Sequence, residues 1–330
     1  MRTSPSEWLT SNLVCPRDLF ELTADGSTLV CSANHAYPVV DGIPVMLLKE
    51  VPPTHGACSR TLEVVHMESD RDAAPVTDTI DPYVQNAVAG TCGILYLPLM
   101  NRLSRYPIPH FRLPSVEGRS LIDIGCNWGR WSIAAAQKGY SVIGLDPNLD
   151  AIRAAARVCR QIGVTASFVV GDARHLPFKS GSVDTAFSYS VLQHFSKDDA
   201  RQALREIART LRPAGTSFVQ MPNMFGLRSI YHQIRRSLAQ RQTEDIFDVR
   251  YWRPHELQTL FSESIGPTSP SVDGFFGLGI QAADADLLPF KYRIVVRASE
   301  FLRRISGRVP MIMQFADSLY LQSVRNPLES

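Results

Sequence analysis

Three acidic residues and a pair of glycines are spaced as a nucleoside pocket requires. The run Leu121-Ile-Asp123-Ile-Gly125-Cys126-Asn127-Trp-Gly129-Arg130 reads as a strand that ends in glycines and opens a helix. Such a turn lets a ligand approach the backbone closely, at the carboxyl edge where open α/β sheets bind their ligands. The spacing is Gly-x-x-x-Gly, and Asn127 stands where the middle glycine of a dinucleotide fingerprint would admit a pyrophosphate, which disfavours an NAD site. A second apolar run ends at Leu145-Asp146-Pro147, with Asp146 lying 21 residues after Gly125, a position from which a carboxylate accepts both hydroxyl protons of a ribose. A third ends at Val170-Gly171-Asp172-Ala173, whose acid and backbone amide suit the amino edge and ring nitrogen of an adenine. Taken singly, Asp146 or Asp172 is a solvated turn residue and Asp123 a helix cap. Their joint placement at successive strand ends describes a pocket for an adenosine carrying something other than a pyrophosphate.

The elements that must position these residues are legible from Arg119 onward, where apolar runs alternate with amphipathic helices in the manner of a parallel α/β sheet. Strands are predicted at Ser120–Ile124, Ser141–Leu145, Ala166–Val170, Val183–Tyr189 and Thr216–Met221. The helix from Trp131 to Lys138 stops at Gly139, and the one after Asn148 places Ile152, Ala155, Ala156 and Cys159 on one face. A third opens on Ser196-Lys-Asp-Asp199, similar to a capping box with Asp in the Glu position, and stops before Pro213. Three successive βα units follow from these signals.

With the motifs in this order, residues 119–221 resemble the catalytic core of class I S-adenosylmethionine-dependent methyltransferases. The family's glycine-rich first motif matches Asp123-Ile-Gly125-Cys126-Asn127-Trp-Gly129, its ribose acid matches Asp146 and its adenine-contacting acid matches Asp172. Phe187-Ser188-Tyr189-Ser-Val-Leu-Gln-His194 corresponds to the stretch after the fourth strand, and Leu211-Arg-Pro-Ala-Gly215 to the turn before the fifth. The resemblance implies a Rossmann-like α/β sheet with helices on both faces. It also implies S-adenosylmethionine as cofactor, held by Asp123, Gly125, Cys126, Asn127, Gly129, Asp146, Pro147, Asp172, Ala173, Ser188 and Tyr189. Asn127 departs from the family pattern, where glycine is usual, and either narrows the space near the methionine carboxylate or bonds to it.

Methyl transfer is an in-line displacement at a sulfonium, to which a protein contributes alignment, exclusion of water and a base when the acceptor is a hydroxyl. His194 is the candidate base, because it follows the fourth strand and its imidazole takes a proton near neutral pH. Ordering of the loop by hydrogen bonding is its other reading, and His232 and His255 are further candidates. Trp128 and Trp131 either pack the first helix or shape the pocket. Arg130, near an anion-friendly helix start, is open to ligand contact.

The amino-terminal stretch is different in kind, with short strand-like pieces at Ser27–Cys31, Ala36–Val40 and Ile43–Leu48 and an Asp41-Gly42 turn. Leu13-Val-Cys15-Pro-Arg-Asp18, Leu29-Val-Cys31-Ser-Ala-Asn34 and Tyr37-Pro-Val-Val-Asp41-Gly-Ile-Pro44 resemble the zinc-ribbon-like family that includes tRNA-methyltransferase activator subunits. A four-cysteine site needs Cys-x-x-Cys twice. Here Asp18 and Asn34 occupy the second positions, so the expectation is a metal-free packing or docking module (1–50) with Cys15 and Cys31 as small buried apolar residues. A rebuilt set of Cys15, Cys31, Asp18 and His35 is the alternative.

Residues 51–81 read as a linker with a short helix, and 82–330 as the methyltransferase domain with a substrate-binding or lid insertion around 222–255. The uncharged run Pro82–Asn101 reads as a buried or amphipathic helix, the helix in 226–239 has a basic face, and the final region is expected to cover the sheet edge. In those regions 247–254 and 275–280 supply aromatic and glycine-rich surface.

The chain has 330 residues with 34 basic and 32 acidic side chains, and residues 119–220 carry the excess of positive charge. A net +2 with no interleaved basic and aromatic motif disfavours RNA as the acceptor. No secretory signal or spanning segment is expected, and six scattered cysteines argue against a disulfide framework, so the default location is the cytoplasm. The resulting expectation is an O-methyltransferase acting on a small molecule, sugar or glycan intermediate. RNA methylation and a non-catalytic scaffold are the alternatives, and the amino-terminal module is a possible seat for a protein partner.

Overall fold

The computed structural model describes residues 4–54, 56–64, 79–238, 249–277, 279 and 281–327. Helix α1 (Pro5–Asn12) leads into a four-stranded antiparallel sheet, β1 (Leu22–Asp25), β2 (Thr28–Cys31), β3 (Ala36–Val40) and β4 (Ile43–Pro44), in that spatial order. The last predicted strand is shorter than expected. Val45 N–H still donates to Pro38 O of β3 at 2.9 Å, while Val45 and Met46 also bridge to Val170, with Met46 N–H donating to the Val170 carbonyl at 2.7 Å.

Helix α2 (Gly56–Val64) is the short helix expected in the linker. Pro82–Asn101 is two pieces where one helix was expected: α3 (Pro82–Cys92) and a 3-10 segment at Ile94–Leu99, separated by Gly93 at φ +108°. That backbone conformation, which side chains rarely adopt, is what ends α3.

The main sheet is built from β5 (Ser120–Ile124), α4 (Arg130–Ala136), β6 (Ser141–Asp146), α5 (Leu149–Ile162), β7 (Ser167–Val170), β8 (Val183–Tyr189), α6 (Lys197–Thr210) and β9 (Leu211–Pro222). The punctuation works as read. Asn148 caps α5 by accepting from the amides of Asp150 and Ala151, and Gly163 closes it at φ +75°. Ser196 caps α6 by accepting from Asp199 N–H at 3.0 Å, while the Asp199 carboxylate takes the Ser196 hydroxyl at 2.7 Å.

Beyond β9 come α7 (Leu227–Leu238), α8 (Pro254–Ser264), β10 (Thr268–Gly274), α9 (Phe290–Ser306) and β11 (Ser318–Val324). The seven strands lie in the order β10-β11-β9-β8-β5-β6-β7; β10 and β11 are antiparallel and the rest parallel. The carboxy-terminal region therefore covers the edge of the parallel sheet, as expected, and does so by adding strands to it. It extends the sheet, with β11 inserted between β10 and β9. Part of the expected lid region, residues 239–248, lies outside the described residues, as do residues 278 and 280 of the aromatic and glycine-rich stretch.

Parallel pairing aligns the carboxyl ends of β5, β6 and β8, with Ile124 beside both Leu145 and Ser188 and Asp146 beside Val170 of β7. The turns after these strands consequently share one edge of the sheet. The cores on either face are apolar: Ile122, Ile143, Val169 and Val219 lie on the face covered by α1 and α6, and Leu121, Val142, Phe187 and Phe218 pack towards α4 and Trp131. No helix of the described residues is long and apolar enough to cross a membrane.

Candidate active site

A cavity of about 450 Å³ opens at that shared edge. Its walls include Gly125 and Asn127 after β5, Asp146, Pro147 and Asn148 at the end of β6, Asp172 and Ala173 after β7, and Tyr189, Val191 and His194 after β8. Seven of the expected cofactor residues are thus gathered with the candidate base. The other four, Asp123, Cys126, Gly129 and Ser188, do not line it.

The backbone of the first turn explains both groups. Gly125 has φ +76°, and a Cβ there would lie 2.2 Å from a Val191 methyl, so only glycine lets the turns after β5 and β8 close on each other. Asn127, at φ +48°, adopts the left-handed conformation in place of the usual glycine; its side-chain oxygen accepts from Trp128 N–H at 2.9 Å. Asparagine tolerates this geometry through such local bonding. Gly129 starts α4 at φ +80° and packs on Ala155, which serves helix packing on the far side from the cavity.

Asp146 is 6% exposed, accepts from Asn127 N–H at 3.0 Å and Asn148 N–H at 2.9 Å, and faces the cavity from the strand end. Those amides fix the carboxylate at the cavity wall, where an ionised carboxylate has about four acceptor sites in all. Asp172 is held differently: Arg174 donates to it from Nε at 3.1 Å and Nη2 at 2.7 Å, and reaches Asp199 from Nη1 at 3.0 Å. Arg174 escaped the sequence reading, although a cation two residues beyond a strand-end acid is the signal that would have found it.

Asp123 lies under the first turn, 1% exposed, with Ser132 donating its hydroxyl at 2.6 Å. Burial pushes this carboxyl up to about 7, opposed by the Ser132 hydroxyl and helped by the charge of Asp146. A carboxyl raised in the fold above its unfolded value binds more protons folded than unfolded, so stability falls as pH climbs from about 4 towards 7 and is level above. An Asp123→Asn protein lacks this dependence. Urea unfolding at pH 5 and pH 8 is expected to show the stability difference moving towards the variant by about 3 kcal/mol across that interval. A difference that is constant with pH would mean Asp123 does not titrate there.

His194 ends a 3-10 turn, Leu192–His194, whose entry passes through Ser190 at φ +62°. Its carbonyl accepts from Arg250 Nη1 at 2.8 Å, and Arg250 N–H donates to Gln193 O at 2.8 Å, so the chain beyond β9 pins the turn. Neither His232 nor His255 lines the cavity. The Tyr189 ring packs on Trp131, and its hydroxyl bonds to Asp273 at 2.9 Å and Gln281 at 3.1 Å, away from any ligand role for that oxygen. Arg130 is likewise committed: it is buried, and its Nη2 reaches Asp284 at 3.2 Å.

The wall that sequence reading missed is α3, which supplies Tyr83, Asn86, Ala87, Gly90 and Thr91. Three contacts hold it in place. Asp81, which caps α3, pairs with Arg157 of α5 at 2.7 Å; Asn148 donates to the Tyr83 hydroxyl at 3.2 Å; and Trp128 Nε1 donates to Thr91 at 3.0 Å. Trp128 is therefore both core and anchor for the wall.

Residues 121–215 match the family model described as a methyltransferase domain. The chain is 35% identical over 108 residues to the tRNA (carboxymethyluridine(34)-5-O)-methyltransferase ALKBH8 of Mus musculus, covering 32% of this chain and 15% of that protein. It is 34% identical over 106 residues to the O-methyltransferase resE of Aspergillus sclerotiorum, covering 31% and 39%. A solved SAM-dependent methyltransferase of Methanosarcina mazei superposes with a TM-score of 0.46 at 21% identity, covering 69% of this chain and all of that one. The chain spans less than half the length of the curated relatives it matches. The fold is thus an α/β Rossmann-like methyltransferase fold with a mixed sheet, and the domain implies S-adenosylmethionine as its cofactor.

Proposed function

We propose that the protein is an S-adenosylmethionine-dependent O-methyltransferase whose acceptor is a hydroxyl on a small molecule, sugar or glycan intermediate. The observation that carries this reading is the single cavity wall shared by Gly125, Asp146, Asp172 and His194. The cavity suits the cofactor: a glycine turn no Cβ could occupy, a fixed carboxylate at the second strand end, and apolar surface from Ile124, Leu145, Val191 and Phe195. S-adenosylmethionine supplies an electrophilic methyl group when bound.

The chain's own residues do the rest. Asp146 accepts from the ribose hydroxyls, the Asp172 and Ala173 turn receives the adenine edge, and α3 closes over the site to limit water. His194 would take the proton of the acceptor hydroxyl as its oxygen gains the methyl group and the sulfonium's carbon–sulfur bond breaks to leave a neutral thioether. Asp123 acts from below, positioning the first turn without touching the ligand.

Calorimetric titration with S-adenosylmethionine, its demethylated product and NAD tests this reading. Binding of the first two with no response to NAD is expected, followed by turnover in an acceptor screen that begins with sugars. Silence toward both sulfur ligands in folded protein would instead make the chain a scaffold. Because a tRNA-modifying relative shares part of the domain, the screen includes RNA at low salt, where phosphate-driven binding is strongest.

A further inference from the structure

We propose that Cys15, Asp18, Cys31 and His35 hold one zinc ion that fixes the amino-terminal module. These residues come from two tight turns. In the first, Leu19 N–H donates to Cys15 O with Leu19 at φ +62°; in the second, Asn34 N–H donates to Cys31 O with Asn34 also at φ +62°. The β2–β3 connection brings the second turn against the first, so four donor atoms lie within 4.8 Å of one another.

Three of the separations are those of a tetrahedral site. With zinc at about 2.3 Å from sulfur and about 2.0–2.2 Å from nitrogen or oxygen, sulfur stands about 3.5 Å from each lighter donor. Here His35 Nδ1 is 3.6 Å from Cys15 Sγ and 3.5 Å from Cys31 Sγ, and Asp18 Oδ2 is 3.4 Å from Cys31 Sγ. The Asp18 oxygen is closer to the ring nitrogen, at 2.8 Å.

Hydrogen bonds already link these atoms: His35 Nδ1 meets Asp18 Oδ2 at 2.8 Å, Cys31 Sγ donates to the same oxygen at 3.4 Å, and Cys15 Sγ meets the Tyr37 hydroxyl at 3.1 Å. The metal reading rests on the convergence of two sulfurs, a ring nitrogen and a carboxylate oxygen on one point, where a cation would be held by all four donors.

The groups behind the donors are arranged to the same end. Phe20 N–H donates to Asp18 Oδ1 at 2.9 Å, turning Oδ2 inward, and the Tyr37 hydroxyl lies 3.1 Å from Cys15 Sγ, where it can donate to a thiolate. Partners of this kind orient metal ligands. Two thiolates, an imidazole and a carboxylate match zinc, and four protein donors with no open position make the site structural. Cys15 and Cys31 are buried in the apolar core, as expected from sequence, and their sulfurs also meet the polar donors.

The module reaches the active site through the backbone. Val45 and Met46 lie against Val170, two residues before Asp172, and Val14 N–H donates to Pro177 O at 2.9 Å. Zinc would thus stiffen the edge strand that presents Asp172.

The test is metal analysis of tag-free full-length protein purified without chelator. One zinc per chain is expected, lost in Cys15→Ser and in His35→Ala. Cobalt(II) loaded into the wild-type protein is expected to give the visible bands of a tetrahedral site with thiolate charge transfer, and Asp18→Cys to strengthen the latter. Wild-type protein that takes up neither metal after incubation and gel filtration overturns the proposal, as does zinc retained in both ligand variants. Should the variants fail to fold, the wild-type cobalt spectrum decides, because an octahedral or absent spectrum is incompatible with this donor set. Metal content and spectrum are independent of methyl-transfer activity.

Discussion

An Asp146→Ala protein will bind S-adenosylmethionine at least about 100-fold more weakly than wild type, because two hydrogen bonds to an ionised carboxylate contribute about 1.5–3 kcal/mol each. The residue is 6% exposed and held by two backbone amides, so the loss has two sources: the ribose hydroxyls lose their acceptor, and the turns at Asn127 and Asn148 lose the group that ties them. Asp146→Asn separates the two. Its side-chain oxygen can still accept from one amide, while the charge is gone. Calorimetry reads the affinity, and a thermal melt of each variant shows whether the fold persists. Unchanged affinity in folded Asp146→Ala would remove this residue from the ribose role.

Turnover is expected to fall by about 100- to 10,000-fold in His194→Ala, the usual contribution of a positioned general base. Affinity for S-adenosylmethionine should be retained, since His194 occupies the β8 side of the cavity, across from the ribose acid at the end of β6. The measurement is initial rate with the acceptor found by screening. Normal turnover in the variant would assign His194 to ordering the turn that Arg250 pins.

What could be read ahead of the structure was whatever depends on neighbours in sequence. Strands β5 and β8 begin and end where their apolar runs do, and α5 closes on Gly163, whereas α4 ends at Ala136, ahead of Gly139, and α6 ends at Thr210, ahead of Pro213, which lies in β9. Asp146 and Asp172 were legible for the same reason: a strand end places its next residue at the sheet edge. The α3 wall was not legible, because Tyr83 and Thr91 reach the cavity through Asn148 and Trp128, whose partners no spacing reveals. Arg130 misled for a related reason. Its helix-start position suggested a ligand, but Asp284, 154 residues away, claims the guanidinium. In the amino-terminal module, sequence spacing showed two absent cysteines and named Asp18 and His35 in a rebuilt set as the alternative, and the fold brings those two beside the two cysteines present.

The placement of β11 between β10 and β9 has a consequence for synthesis on the ribosome. Strand β10 ends at Gly274, and its pairing partner begins at Ser318, 44 residues later. At about 5–20 residues per second, β10 waits roughly 2–9 s for the strand that joins it to the sheet, and β9 waits with an unpaired edge. During that interval the nascent chain displays an open strand, the kind of edge that invites pairing with another chain. Tyr320 and Leu321, fully buried once in place, close that edge and cap the cores on both faces in one step.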